Sequence, residues 1–431
     1  MARKMKDSGI EWIGEIPEGW EVAKLKNIVS IVRGGSPRPI EAYMSDNDND
    51  VNWIRISDTE KGSKYITHTS RKLIASGISK SRFIKRGSLI LTNSMSFGEP
   101  YILDIDGCIH DGWVAFSDFK KIDKEFLYYF LTSPLAKIQF EQQVDGGVVK
   151  NLNIDKIGDT VILLPSLIDQ NKVIAHLDSL TSETNSLLSK TITSIEEYKK
   201  LKQAVITQAV TKGVRGEREM KDSGVEWIGE IPEEWNKCKL KNISIDIGDG
   251  LHGTPKFDDS GEVYFINGNN FSSEYVEPKF DTKKLCLDES LNYPKPELTE
   301  QTIMISLNGS YGKVCLYRYF PMLLGKSAGY ITLLPSINRR YVRYYLSSTP
   351  AQTIMTLSLN GTTIPNLSLN TLYNFPTILP SASEQAEIAD YLDAKCAEID
   401  GLIAKKEQLV KELESYKKSL IYEVVTGKRE V

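Results

Sequence analysis

Histidine and cysteine are scarce in this chain, and neither is clustered. The cysteines are Cys108, Cys238, Cys286, Cys315 and Cys396, and the histidines are His68, His110, His176 and His252. None of them forms a C-x-x-C, H-x-x-x-H or H-E-x-x-H spacing, so neither a zinc site nor a disulfide framework is predicted. We therefore expect reduced thiols and no metal bound by this chain.

Long apolar runs are also absent. No stretch approaches the roughly 18 consecutive apolar residues that cross a bilayer, and the N-terminus does not join basic residues to an apolar core. We expect a protein that is neither membrane-spanning nor exported, with a cytoplasmic location. A composition of 41% hydrophobic and 26% charged residues over 431 positions is typical of globular protein with about two domains.

Signatures of enzymatic chemistry are missing as well. The chain has no N/D-P-P-F/Y motif of methyl transfer and no G-x-G-x-x-G after a strand. Gly325-Lys326-Ser327 ends like a phosphate-binding loop, but Phe320 occupies the position of the first required glycine. No Ser-His-Asp or Cys-His arrangement can be assigned. The sequence predicts no catalytic residue and no cofactor bound by this chain.

The net charge of −4 disfavours a uniformly basic DNA-binding protein, but the charge is unevenly distributed. Residues 61–86 contain eight basic side chains, Lys61 among them, and no acid. Residues 301–383 contain six basic side chains and again no acid. A single charged stretch is usually a solvated surface, whereas one acid-free window in each half of the chain favours contact with phosphates.

An internal repeat organises the chain. The segment Met5 to Ile28 returns as Met220 to Ile243, with 19 of 24 positions identical at an offset of 215. The same offset relates Asn151 to Gly213 with Asn366 to Lys428. Between these ends the two copies differ strongly. The pattern predicts two copies of one structural unit with divergent interiors.

The copied C-terminal part of each unit is predicted to be a long amphipathic helix that begins at a serine cap, Ser166 or Ser381. A 3.5-residue register places on the helix-helix seam Val173, Leu177, Leu180, Leu187, Tyr198, Leu201, Val205, Ile388, Leu392, Ile399, Leu402, Leu409, Leu413, Tyr416 and Leu420. Two apolar stripes of equal length predict that the helices pack on each other as a coiled coil. At 1.5 Å per residue, about 45 residues form a spacer roughly 65 Å long.

The remaining segments show short strand-like runs between Gly, Ser and Asn turns, for example at 51–56, 88–92, 263–266 and 302–306. The predicted fold class is α+β, with two mixed α/β domains separated by two long antiparallel spacer helices. The predicted boundaries are residues 1–165 for the first domain, 166–213 for the first helix, 214–380 for the second domain and 381–431 for the second helix.

Two similar units joined through paired helices predict a pseudo-two-fold arrangement. A dimeric DNA reader uses this geometry to contact two half-sites about one helical turn apart. Because the interiors of the two units differ, the two half-sites should differ too. The predicted target is therefore asymmetric and bipartite.

The chain resembles the specificity subunits of Type I restriction-modification systems over essentially its whole length. The resemblance rests on the order of short motifs, repeated twice: Ile-Pro-x-x-Trp, Gly-x-Ser/Thr-Pro, Leu-Pro-Ser with a following Gln, and the closing Ala-Val-Thr-Lys-Gly or Val-Val-Thr-Gly-Lys. It implies two target-recognition domains on an antiparallel coil, two methylation subunits docked along that coil, and restriction subunits in the full complex. S-adenosylmethionine, ATP and Mg²⁺ are then expected only on the partner subunits.

Candidate DNA contacts are side chains that can pair with base edges or phosphates from loops after short strands. In the first domain they are Arg38, Arg55, Arg71, Lys72, Lys80, Arg82, Lys85, Arg86 and Asn93. In the second domain they are His252, Lys256, Asn267, Asn269, Asn270, Asn308 and Lys313. Taken singly, residues of these types are more often turn formers or solvated charges than base contacts.

Two other interpretations stay open at this point. The chain could be the recognition portion of a single-chain restriction enzyme, which co-purification with a methylation subunit would argue against. It could also be a structural coiled-coil adaptor, which salt-sensitive binding to duplex DNA would argue against.

Overall fold

The structure is a computed structural model that describes residues 3–60, 62–94, 97–143, 152–359 and 365–431. Lys61 of the first basic window and Asn151 of the repeat lie outside the described residues. The chain divides into two compact units, one formed by Met1–Ile192 with Glu407–Val431 and the other by Thr193–Lys406. Each unit contains one mixed α/β domain and one segment of each long helix.

The first unit follows the chain from its N-terminal strands to the first long helix. Its elements are β1 (Met5–Asp7), β2 (Glu15–Pro17), β3 (Glu21–Lys24), β4 (Ser30–Arg33), β5 (Met44–Ser45), β6 (Val51–Ile54), β7 (Tyr65–Ile66), β8 (Lys72–Leu73), α1 (Ala75–Ile78), β9 (Arg82–Ile84), β10 (Leu89–Thr92), β11 (Pro100–Leu103), β12 (Gly107–Ile109), β13 (Trp113–Ser117), α2 (Lys124–Thr132), α3 (Pro134–Gln143), α4 (Ile154–Gly158), β14 (Val161–Leu164) and α5 (Leu167–Lys212). Short 3-10 turns follow β3 and β6.

Two five-stranded sheets form the body of the first domain, in the orders β4-β13-β10-β11-β7 and β5-β8-β6-β12-β9. Alternate residues of β10 point to opposite faces, and both faces are buried. Leu89 and Leu91 pack with α2 and α3, whereas Ile90 packs with Ile54 and Ile109 of the other sheet. The first three positions of β10 are therefore all apolar, as expected for a strand covered on both faces, and Thr92 at its end is buried as well.

The second unit repeats this plan with fewer strands. Its elements are β15 (Met220–Asp222), β16 (Glu230–Pro232), β17 (Asn236–Lys239), β18 (Ser244–Asp249), β19 (Val263–Ile266), β20 (Lys284–Leu285), α6 (Leu287–Leu291), β21 (Thr302–Ser306), β22 (Val314–Leu316), β23 (Met322–Leu324), β24 (Ala328–Leu333), α7 (Arg339–Ser347), α8 (Thr349–Leu357), α9 (Leu369–Tyr373), β25 (Pro376–Leu379) and α10 (Ala382–Val425). Its sheets have the orders β18-β24-β21-β22 and β20-β19-β23. The predicted mixed fold with two long helices is confirmed.

The long helices begin at the serine caps that the sequence predicts. The Ser166 hydroxyl accepts a hydrogen bond from the Asp169 amide at 3.2 Å, and the Ser381 hydroxyl accepts one from the Glu384 amide at 3.4 Å. The Glu384 carboxylate turns away from the cap to the Trp235 indole and is buried there. Among the described residues, no helix has both the length and the apolar composition needed to cross a membrane.

Within each unit, the two helix segments run antiparallel. In the first unit, Leu177 of α5 packs in the same core as Leu420 of α10, and further along α5 the Asn185 side chain accepts a hydrogen bond from Lys417 at 2.7 Å. In the second unit, Val210 packs in the same core as Ile388, and Lys202 forms an ion pair with Asp400 at 2.6 Å. In both units, higher numbers on one helix meet lower numbers on the other.

The buried stripe follows a longer period than the predicted 3.5 residues. On α5, the buried side chains Val173, Thr184, Ile195 and Ile206 recur every eleven residues. An eleven-residue repeat matches the natural 3.6-residue turn, so the stripe drifts away from a heptad register. Of the residues that the heptad register places on the seam, four are consequently exposed: Leu187, Leu201, Leu409 and Tyr416. Six others are buried: Val173, Leu177, Ile388, Leu392, Ile399 and Leu420. Leu180, Tyr198, Val205, Leu402 and Leu413 are half-buried.

One aspartate on each long helix fastens the domain of its own unit. Asp178 accepts hydrogen bonds from the Tyr129 hydroxyl and from Lys64, the latter at 2.6 Å. At the equivalent position, Asp393 accepts a hydrogen bond from the Tyr344 hydroxyl at 2.7 Å and forms an ion pair with Arg340. Desolvation acts to lower the pKa of Lys64, but its bonds to Asp178 and Glu125 outweigh this effect and raise the pKa, so Lys64 remains charged.

A buried glutamine makes a second contact between each domain and its helix. The side-chain oxygen of Gln385 accepts a hydrogen bond from the Asn338 amide at 2.9 Å, and its amide group donates to the Pro380 carbonyl at 2.9 Å. Gln170 makes the equivalent bonds to the Asp123 amide and the Pro165 carbonyl. The glutamine thus joins the start of the long helix to the N-terminus of α2 in the first unit and of α7 in the second.

The substitution Gln385→Leu tests this contact, because it keeps a similar volume and leaves two buried backbone groups without partners. We expect the free energy of unfolding to fall by about 1–3 kcal/mol, measured by urea denaturation. The control Gln208→Leu lies on an exposed face of α5 in the same unit and should change stability by less than about 0.5 kcal/mol. Equal effects of the two substitutions would contradict the assignment.

Candidate nucleic-acid interface

One edge of the main sheet in the first unit brings together several loops. β13 is antiparallel to both β4 and β10, so β4 and β10 end at the edge where β13 begins. The Gly34 amide donates to the Trp113 carbonyl at 2.9 Å, and the Asn93 amide donates to the Gly112 carbonyl at 3.0 Å. We call the loops at residues 34–38, 55–58, 79–81 and 110–112 the first loop edge.

The approach of backbones at this edge requires a residue without a side chain. A Cβ atom on Gly34 would lie 2.0 Å from the His110 carbonyl oxygen. The neighbouring Ser81 hydroxyl donates to the Gly35 carbonyl at 2.7 Å, which fixes the segment that carries Lys80 and Arg82. This close approach of the loops therefore requires glycine at position 34, whereas a Cβ atom on Gly35 would meet its nearest neighbours at 3.6 Å or more.

Arginine and lysine side chains project from the first loop edge. Arg38 is 77% exposed at its side chain and lies 3.5 Å from the carboxylate of Asp111. Arg33, which the sequence analysis did not single out, donates to the Asp111 carbonyl at 3.0 Å, and Arg82 donates to the Arg33 carbonyl at 3.3 Å. Lys80 is exposed beside them. Its position in the sequence, directly before Gly34 and Gly35, is the signal from which Arg33 could have been predicted to lie at this edge.

Asp111 orients this cluster of cations. Burial acts to raise the pKa of its carboxyl group, but the hydrogen bond from Ser36 at 2.7 Å and the nearby charges outweigh burial and lower the pKa. The carboxylate is therefore ionised and can position Arg38 without neutralising the whole cluster. The exposed guanidinium keeps donors available for a base edge or a phosphate.

Two predicted contacts of the first domain instead support the loop from within. The Arg55 guanidinium donates to Asp58 at 3.3 Å and to the Ser70 hydroxyl, and Asp58 is buried. Asn93 is only 2% exposed, and its backbone carbonyl accepts a hydrogen bond from the Leu152 amide. These side chains shape the first loop edge, and their contacts leave little surface for DNA.

The basic window of the first domain is divided over the unit. Lys64 is turned inward to Asp178, and Lys72 donates to the Asn52 side chain at 2.7 Å. Arg86 forms an ion pair with Asp104 at 2.7 Å, and it lies with Lys85 between the end of β9 and the start of β10, away from the first loop edge. Arg71 is exposed just before β8. Clustering in sequence therefore does not produce one basic surface.

The second unit forms an equivalent edge, where β18 and β21 end and β24 begins. The Leu251 amide donates to the Leu324 carbonyl at 2.7 Å, and the Gly268 amide donates to the Ser327 hydroxyl at 3.0 Å. The Ser327 hydroxyl donates in turn to the Asn267 side chain at 2.9 Å. We call the loops at residues 250–256, 267–270, 308–312 and 325–327 the second loop edge.

Different side chains project from the second loop edge. His252 is exposed and contacts Asp249 at 2.7 Å, and Asn269 and Lys256 are exposed in neighbouring loops. Lys326 is also exposed, in the turn that imitates the end of a phosphate-binding loop. Lys326 belongs to the acid-free window at 301–383 but is not among the predicted DNA contacts.

The remaining predicted residues of this domain differ in their accessibility. Asn270 is 2% exposed, and its amide donates to the Thr282 hydroxyl at 2.8 Å, so it stabilises the loop. Asn308 is half-buried in the β21–β22 turn. Lys313 lies at the end of the same turn, where its amide donates to the Ser306 hydroxyl. Of the described residues, no three His, Cys, Asp or Glu side chains are grouped to hold a metal ion.

Comparison with known proteins is consistent with this pair of edges. The family described as the Type I restriction modification DNA specificity domain matches residues 17–197 and 232–412, once in each repeat. The chain belongs to this family. The family assignment confirms the resemblance inferred from the repeated motifs.

Individual relatives cover nearly the whole chain. The Type I restriction enzyme MjaVIII specificity subunit of Methanocaldococcus jannaschii is 26% identical and aligns over 96% of this chain and 93% of its own length. The EcoBI specificity subunit of Escherichia coli is 22% identical and aligns over 93% and 84%. The HsdS subunit from Thermoanaerobacter tengcongensis has a related fold, with a TM-score of 0.50, 17% identity and coverage of 96% and 98%. Another type I R-M chain reaches a TM-score of 0.73 at 17% identity, with coverage of 96% and 99%.

The substitution Arg38→Ala tests the first loop edge as a specificity surface. We expect a loss of about 1–3 kcal/mol in binding free energy for duplexes with an intact first half-site, and relaxed preference at that half-site alone. Competition binding with duplexes altered in either half-site measures both effects. The control Arg86→Ala should leave the base preference unchanged, and an equal loss at both half-sites would refute the assignment.

Acid should weaken the loop that Arg55 and Asp58 hold. Burial acts to raise the pKa of Asp58, but hydrogen bonds from Ser70 and Arg55 outweigh it and lower the pKa. A pKa lower in the folded than in the unfolded state adds stability above the unfolded value of about 3.9, and this stability is lost as the pH falls through the folded value.

The substitution Asp58→Asn should accordingly lower the free energy of unfolding by about 1–3 kcal/mol at pH 7, with a smaller difference from the unmodified protein below about pH 3. Urea denaturation across this pH range measures the difference. Asp48→Asn, at an exposed position, serves as the control and should show little effect at any pH. A difference at Asp58 that does not vary with pH would contradict the ionised role.

Proposed function

We propose that this chain is the non-catalytic DNA-recognition subunit of a Type I restriction-modification complex. The observation that carries the proposal is the pair of loop edges, which lie at equivalent ends of equivalent sheets but carry different side chains. The first presents mainly arginine and lysine, and the second presents histidine, asparagine and lysine. A common frame with different projecting groups is the arrangement expected for two readers of different half-sites.

Roles within each edge follow from side-chain geometry. Arginine can donate two parallel hydrogen bonds to guanine, and asparagine can pair in a bidentate manner with adenine. Arg38 and Asn269 are therefore the strongest candidates for base contacts. Lys80, Arg82, Lys256 and Lys326 suit phosphate positioning, because a lysine ammonium is a compact point charge and an exposed arginine also binds phosphate.

The paired helices are proposed to set the distance between the half-sites. The antiparallel pairing within each unit supports this role, as does the length of α5 and α10, which contain 46 and 44 residues. The pairing relies on buried apolar side chains and internally bonded threonines, for example Thr184, whose hydroxyl donates to the Leu180 carbonyl at 2.7 Å. Because these hydroxyls bond within their own helix, the threonines can lie on the buried stripe without a hydrogen-bond partner on the other helix.

The proposed complex supplies the chemistry that this chain is expected to lack. Two methylation subunits would bind S-adenosylmethionine, restriction subunits would bind ATP and Mg²⁺, and this chain would direct both to duplex DNA in the cytoplasm. Methylation sequencing of a host that carries the complete system would identify the target. Binding of that duplex should then weaken with rising salt, because protein contacts release condensed counterions from the phosphates.

Lengthening both helices tests the spacer role. Insertion of seven residues at matched positions of α5 and α10 adds about 10 Å and nearly preserves the facing sides, so the tolerated gap should grow by about three base pairs. Methylation of duplexes with graded gaps measures the change. Insertion into α5 alone should instead disrupt the pairing and reduce activity at every gap. An unchanged optimal gap after the matched insertion would refute the spacer role.

A further inference from the structure

The first strands of each repeat form a hairpin that is far more similar between the two units than the helices are. Residues 5–18 and 220–233 are identical at 13 of 14 positions. The long helices come from the same duplication, yet α5 and α10 share only ten identical residues over the 44 positions of α10. A recent duplication would have left both parts equally similar. The start of each repeat, which includes the hairpin, is therefore held constant by something that does not act equally on the helices.

Local folding explains the inner half of this identity. Gly9 and Gly14 have positive φ values of 74° and 72°, as do their counterparts Gly224 and Gly229, and this conformation favours glycine. The Asp7 carboxylate accepts a hydrogen bond from the Gly9 amide at 3.0 Å. Ile13 and Ile16 are buried in the core of the first unit. These positions are constant because the hairpin needs them to form.

The outer half of the hairpin has no such explanation. Trp12 is 45% exposed and its counterpart Trp227 is 47% exposed. Glu11 and Glu15 lie exposed on either side of Trp12 in sequence, and the second hairpin has glutamate at both equivalent positions. Within the described residues, neither glutamate side chain forms a hydrogen bond or an ion pair. One exposed tryptophan is unremarkable, but the same exposed tryptophan between the same two carboxylates in both units requires a common cause.

The chemistry of this surface disfavours DNA as the common cause. Carboxylates repel phosphates, and two different half-sites would have driven the two surfaces apart, as happened at the loop edges. A protein partner that binds once to each unit has the opposite effect, because it presents the same surface twice. Tryptophan is enriched among residues that dominate protein interfaces, and flanking carboxylates complement lysine and arginine at an interface rim.

We propose that each hairpin is a docking site for one methylation subunit in addition to the coil, with Trp12 and Trp227 as the anchors. This inference rests on the proposed function and names the surface that the two copies of the partner share. The partner is expected to offer an apolar slot for the indole ring with a basic rim that faces Glu11 and Glu15, or their counterparts. The hairpins, which are the same in both units, would bind the same partner, and the loop edges, which differ, would read the different half-sites.

The experiment mixes the full chain with the purified methylation subunit of the same system and counts bound copies by native mass spectrometry. The unmodified chain should bind two copies. At the same concentration, each single variant, Trp12→Ala or Trp227→Ala, should bind one copy, and the double variant should bind none. The affinity of each altered hairpin for the methylation subunit should fall on the order of tenfold or more. Tyr319→Ala removes another exposed aromatic ring and should retain both copies.

Further measurements separate the possible outcomes. Duplex DNA binding by the free chain should be unchanged in the tryptophan variants, and their thermal unfolding should remain cooperative, because about half of each side chain lies outside the core. Glu11→Lys with Glu15→Lys should weaken docking at the first hairpin more than Glu11→Gln with Glu15→Gln, and high salt should reduce that difference. Two bound copies in the double tryptophan variant, or a loss of DNA affinity instead, would overturn this inference alone. Failure of the unmodified chain to bind any methylation subunit would overturn the proposed function as well.

Discussion

The attachment of each domain to its long helix depends on a carboxylate that accepts hydrogen bonds from a tyrosine and a cation. Without those partners, Asp178 or Asp393 would leave a partly buried charge facing an aromatic helix, which is costly. With them, the domain is held at one position along the helix. The buried glutamine that follows each serine cap adds a second point, so rotation of the domain about the first is restricted. Accurate placement of the loop edges requires this rigidity.

The overall organisation could be predicted from the sequence because it depends on periodic and repeated signals. The duplicated ends, the serine caps and the apolar stripes each correspond to one physical requirement, and all agree. The heptad register was less successful, because the buried positions of α5 recur every eleven residues. A strict 3.5-residue register therefore drifts from the buried stripe along the helix and places exposed leucines such as Leu187 on the seam.

The candidate site was harder to predict, since a loop residue has the same local sequence whether it projects outward or supports the loop. Arg38 and Arg55 both follow short strands, yet Arg38 is exposed whereas Arg55 binds a buried aspartate that lies three residues later. Asn269 and Asn270 are neighbours with opposite accessibility. Lys326 was not predicted as a contact, because the sequence around it only resembles the end of a phosphate-binding loop. Only the pairing of the strands reveals which loops meet at one edge.

The retained aspartate on the helices also bears on how such a chain can change over generations. The position equivalent to Glu125 of the first domain is Arg340 in the second, so each domain brings its own positive partner, Lys64 or Arg340, to the same acidic position. Either domain could therefore be seated on either helix with the charges still matched. Genetic exchange between the repeats would then yield new combinations of recognition domains while keeping the same contacts to the long helices. The DNA target could be altered by exchanging whole domains.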